Sequence, residues 1–135
     1  MFYDRGSIVK KKNITFKQSN MIDFRIAGHP VLFPVDFGFD DDFFYFFTLS
    51  SQVHHYPKDP DRYFLLKKTP RSGLKTNSIV DLKYVYKCDA FNEVPMGKIP
   101  EPINSEIISK FYSYNELHID QDCKELLEIL ETSKI

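Results

Sequence analysis

The chain has 135 residues, of which 42% are hydrophobic and 16% aromatic. A chain this long buries roughly two thirds of its unfolded surface, so this composition excludes wholesale disorder and argues for one domain. The 18 basic and 19 acidic residues leave a net charge of −1, which excludes a protein that coats nucleic acid nonspecifically but not one with a local basic site.

The opening MFYDRGSIVKKKN lacks the apolar stretch of a secretory signal, and no greasy run approaches the ~20 residues of a membrane helix. GSIVKKK reads as a first strand and VLFPVDF as a second, in which Pro34 marks a bulge or an edge because it cannot donate to a ladder. DFFYFFTLS carries large side chains on both faces, the pattern of a central strand buried on two sides. RYFLLKK and NSIVDLKYVYKC complete the β set. Turns fall at Gly28, His29 and Pro30, at Gly38 with Asp40, Asp41 and Asp42, at 57–60 and at 70–73. Short strands so punctuated predict a small barrel or sandwich.

The period then changes. Ile103, Ile107, Ile108 and Phe111 share one helical stripe behind Pro100 and Pro102. Ile119, Cys123, Leu126, Leu127 and Leu130 form a second stripe in a segment carrying six acids. The expected fold is mainly β with C-terminal helices (α+β): a small β-barrel over residues 1–115 closed by a helix, with an acidic helical extension over 116–135. Cys88 and Cys123 have no CxxC partner and read as the reduced thiols of a cytoplasmic protein.

Candidate chemistry is metal-free. His54 and His55 are adjacent, and on an extended chain their rings point to opposite sides. The run of three aspartates lacks the alternating oxygens and the glycine of a calcium loop. There is no nucleophile elbow, phosphate-binding loop or dinucleotide fingerprint, and nothing calls for a cofactor. What remains is His29 before Pro30, Ser50 and Ser51 at a strand end, and His54 and His55 beyond. Beside them lies a basic stretch holding Arg62, Lys67, Lys68, Arg71, Lys75, Lys83 and Lys87 against Asp81 alone. Cleaving RNA without a metal requires a base for the 2′-hydroxyl, an acid for the leaving oxygen and donors for the phosphorane. Histidine suits the first two roles and cations or hydroxyls the third. A generic surface loop has the same composition, so residue types alone leave both readings open. Tyr84 and Tyr86 alternate, and either stack on bases or pack into the core.

Taken in order, GSIV, AGHPVLF, FFTLSSQ, SGLKTNSIVDLKYVYKCD and GKIPEPINSEIISKF resemble the successive segments of the MazF/PemK family of toxin endoribonucleases, over residues 6–113. The likeness lies in their order and spacing. It implies an SH3-like barrel, a homodimer that cleaves single-stranded RNA to leave a 2′,3′-cyclic phosphate, and an antitoxin partner. Ser50 falls where the family has a catalytic Thr or Ser, with Ser51 beside it. Lys83 falls on the basic position of the fifth strand, and Asp81 where Gln is common. His29 replaces the arginine that precedes the proline of the second strand, so either a protonated His29 or Arg25 would supply the cation. His54, His55 and Arg71 are expected RNA contacts outside the family pattern. The alternative is an inert or CcdB-type barrel that acts by binding a protein. The acidic tail lies beyond the matched segments, and is expected to cover an apolar patch, extend the dimer or mimic an acidic antitoxin segment over the basic groove.

Overall fold

The computed structural model describes residues 3–10, 30–38, 40–83 and 85–115. His29, Arg25, Tyr84 and the expected second helix lie outside these residues.

The described elements are β1 (Ser7–Lys10), β2 (Pro30–Leu32), β3 (Phe43–Ser50), a 3₁₀ helix (Val53–Lys58), β4 (Tyr63–Leu66), β5 (Ser78–Asp81), β6 (Tyr86–Asp89), β7 (Gly97–Lys98) and α1 (Glu101–Asn115). The strands pair antiparallel in one curled sheet of seven, in the order β4-β5-β3-β2-β1-β7, with β6 also on β3. Among the described residues the architecture is therefore a mainly antiparallel half-barrel with one helix after the strands.

The hub is β3. Phe44, Phe46, Phe47 and Leu49 are buried, and β3 is paired with β2 on one edge and with β5 and β6 on the other. Alternation sends these side chains to both faces, so two layers of core form from one strand. Phe47 meets Phe111 of α1 edge-on at 5.1 Å. Phe44 meets Tyr3, Phe33, Phe37 and Phe91 at 5.0–5.5 Å. Each such ring contributes roughly 1.5–3 kcal/mol through burial, and each edge-on pair adds about 0.5–1.5 kcal/mol. Tyr86 stacks on Phe46 at 5.7 Å and is buried, so it belongs to the core and not to a base-stacking surface.

Two predicted strands are shorter than their patterns. The VLFPVDF strand stops at Leu32, because Pro34 has no N–H for a ladder. Its carbonyl instead accepts from Asn104 Nδ2 of α1 at 3.3 Å. NSIVDLKYVYKC divides into β5 and β6. Its register on β3 slips between Leu49↔Val80 and Phe46↔Tyr86, the longer segment on the β5–β6 side forming a bulge. The Leu82 N–H continues the β4–β5 register onto the Arg62 carbonyl at 2.9 Å, and Lys83 follows where the chain turns out of it.

The curl is closed by backbone contact between the two ends of the sheet. The Lys98 N–H of β7 donates to the Arg71 carbonyl in the β4–β5 turn at 2.8 Å. A Cβ on Gly97 would lie 2.2 Å from the Ser72 backbone, so only glycine admits this approach. Among the described residues no helix is long and apolar enough to cross a membrane.

Candidate functional site

Antiparallel register decides which side chains share a face. Ser50 pairs with Ile79, Ile79 with Leu65, and Asp81 with Tyr63. Ser50, Leu65, Tyr63 and Asp81 therefore stand on one face of β3-β5-β4. Leu49, Val80 and Phe64 stand on the other, with Phe47 and α1.

Contacts run along the outer face from strand end to bulge. The Ser50 hydroxyl accepts the Gln52 N–H at 3.1 Å, the local turn bond that serine favours at a strand end. Gln52 Oε1 lies 3.0 Å from His55 Nε2. With the Gln52 amide oxygen facing the ring, the tautomer that matches this contact has the proton on Nε2 and leaves Nδ1 as the acceptor. The His55 ring stacks over Tyr63 at 6.4 Å. Arg62 lies over the same tyrosine at 4.9 Å and forms a bidentate pair with Asp81, Nε to Oδ1 at 3.0 Å and Nη2 to Oδ2 at 2.8 Å. Asp81 Oδ1 also accepts the Lys83 N–H at 3.0 Å. Ser50, His55, Asp81 and Lys83 are thus joined in one series.

The histidine pair has a different geometry from the one expected of an extended chain. Residues 53–58 form a 3₁₀ helix, which winds the backbone, so the rings of His54 and His55 lie 4.3 Å apart instead of on opposite sides. Ser51 opens this helix, its carbonyl accepting the Val53 N–H at 2.9 Å, and is itself exposed. Arg71 stands apart, exposed in the turn against β7, where it lines a cavity of about 650 Å³ with Asp4, Ser7 and Lys98. Among the described residues no three His, Cys, Asp or Glu side chains are grouped to hold a metal ion.

Beneath the 3₁₀ helix, Lys110 of α1 donates to the Tyr63 carbonyl. Its ammonium lies 5.3 Å from the Tyr56 ring centre and 6.0 Å from that of Phe64. Burial pushes this ammonium below the usual lysine range, and Asp61 draws it partly back. One cation thereby ties α1 to the 3₁₀ helix and to the start of β4, the segments that carry His55 and Tyr63.

Gln52, Arg62 and Tyr63 were not expected at the site. Their signal is faint in the sequence: Arg62 and Asp81 become partners only through the β4–β5 register. As an arrangement, the face offers an imidazole acceptor, a hydroxyl, two cations and an aromatic ring in succession. These suit proton transfer, phosphate binding and base stacking respectively. No protein-family model matches the sequence, and no curated protein matches it either.

Proposed function

We propose that the protein is a metal-independent endoribonuclease, with the outer face of β3-β5-β4 as its RNA-cleaving surface. The observation that carries this reading is the unbroken series Ser50–Gln52–His55–Tyr63–Arg62–Asp81–Lys83. It combines an imidazole acceptor with cations and a stacking ring on one partly exposed surface. His55 Nδ1 removes the 2′-hydroxyl proton, the 2′ oxygen attacks the adjacent phosphorus, and the P–O5′ bond breaks. The 5′ oxygen takes up a proton, supplied by His54 or by water, leaving a 2′,3′-cyclic phosphate and a 5′-hydroxyl. Lys83 and Arg62 stabilise the phosphorane, Tyr63 stacks on a base, and Ser50 holds the Gln52 turn that orients His55.

The finer identity follows from the same reading. The half-barrel is an SH3-like barrel of MazF/PemK type, working in the cytoplasm as a homodimer and neutralised by an antitoxin. Within it, Arg62 takes the electrostatic part that the family gives to the arginine replaced by His29.

A second reading rests on a separate observation. Leu65 is 40% exposed on the sheet's edge strand, and an apolar groove beside it is lined by Phe64, Leu66, Ile99, Pro100 and Ile103. An edge and groove of this kind suit a protein partner, as in a CcdB-type binding barrel. Incubating the protein with long single-stranded RNA in EDTA separates the two. Discrete fragments with cyclic-phosphate ends, slowed about 10²–10⁴-fold in His55→Ala, support the nuclease. Intact RNA from folded protein transfers the function to the edge.

A further inference from the structure

We propose a second site, for a small alkyl cation: a guanidinium or ammonium group on a short hydrocarbon stem, held in the cleft between α1 and the corner at 34–36. The cleft encloses about 490 Å³ and is lined by Arg5, Val35, Asp36, Glu101, Asn104 and Ile108, among others. That volume falls within the range of small-ligand sites, and none of these residues belongs to the outer face described above.

Asn104 supplies the first argument. It is 1% exposed, and its Nδ2 donates to the Pro34 carbonyl at 3.3 Å. A carbonyl must be met by the amide nitrogen, so this contact fixes the orientation of the side chain. Oδ1 is then left buried with no hydrogen-bond partner among the described residues. Buried acceptors are rarely left so, and this one belongs to a residue that lines the cleft, where a donor packed against it would satisfy it.

Charge supplies the second argument. Among the described residues Asp36 and Glu101 face one guanidinium, that of Arg5, whose backbone N–H also donates to Asp36 Oδ1 at 2.7 Å. The guanidinium reaches Asp36 Oδ2 at 3.4 Å and Glu101 Oε1 at 3.8 Å, both longer than a tight charged hydrogen bond of about 2.8 Å. The cleft therefore keeps an excess of negative charge, which together with a buried acceptor repels an anion and selects a cationic donor. Val35, which is buried, and Ile108 provide an apolar wall for the stem.

The test is calorimetric titration of the full chain with n-butylguanidinium at low ionic strength, with n-butylurea as the neutral isostere. The expected result is saturable binding of the guanidinium, about tenfold or more tighter than the urea. Glu101→Gln, at a side chain 58% exposed, is expected to weaken it several-fold with the fold intact. Asn104→Leu, checked for folding by circular dichroism, is expected to abolish it. Should Asn104→Leu unfold the chain, Glu101→Gln decides. Absence of saturable binding at millimolar guanidinium, equal binding of the urea, or an unchanged Glu101→Gln affinity overturns the site.

Discussion

The two ends of β3 are held in opposite ways. At the first, Phe44 and Phe47, on opposite faces of the strand, are fixed by neighbouring rings and by α1. At the second, on the outer face from Ser50 to the bulge, position is fixed by hydrogen bonds and one ion pair between half-exposed groups. Apolar burial is nearly indifferent to direction but grows with area, whereas hydrogen bonds contribute little net energy and impose strict geometry. The interior therefore carries stability and the outer face carries orientation, and substitutions on the two should separate accordingly.

The largest expected effect is in the interior. Phe44→Ala removes the ring at the centre of the aromatic cluster and should cost about 3–5 kcal/mol in denaturant unfolding. Intermediate effects belong to contacts that join segments. Gly97→Ala forces a methyl against the Ser72 backbone and should cost about 1–3 kcal/mol through overpacking. Asp81→Ala removes the bidentate partner of Arg62 between side chains 20–25% exposed. It should cost about 1–3 kcal/mol and also lower RNA cleavage, because the Lys83 backbone loses its anchor. A smaller effect depends on pH. Tyr3 donates to the Glu93 carbonyl and accepts its N–H, and burial raises its phenol above 10.0. A phenol raised in the folded state keeps its proton there longer than in the unfolded chain. The stability it lends is therefore complete below pH 10 and lost as pH rises through the folded value. Tyr3→Phe should flatten that alkaline decline in a series of melting curves. The smallest change in stability is expected from Ser50→Ala, within about 0.5 kcal/mol, alongside a clear loss of cleavage. That dissociation is what distinguishes a positioning hydroxyl from a core contact.

Legibility in the sequence followed the same division. The central place of β3 and the stripe of α1 were readable, because burial leaves a periodic pattern in residue type. Pro34 read as a bulge or an edge within a longer strand, whereas β2 stops at Leu32 and is paired on both sides. The 3₁₀ helix was not readable, since it buries no residue and so has no periodic signature. The turn-out at Lys83 was hidden for another reason: its N–H is taken by the Asp81 carboxylate inside a segment that alternates as one strand. Tyr3 belongs to no periodic pattern, and only its bridge to Phe37 places it in the core. Of the candidate site, Ser50, His55, Asp81 and Lys83 converge, and Arg71 goes to the closing turn. Gln52, Arg62 and Tyr63 became visible only with the register, because a polar site is defined by geometry and not by composition.

The most direct test of an RNA-engaging outer face is backbone amide NMR of the protein titrated with a short single-stranded RNA carrying 2′-O-methyl groups, which binds but cannot be cleaved. Shifts concentrated at Ser50, Gln52, His55, Tyr63, Asp81 and Lys83, weakening as salt rises, are the predicted result. An unperturbed outer face, or shifts confined to Leu65 and the groove lined by Phe64, Leu66, Ile99 and Ile103, would contradict it.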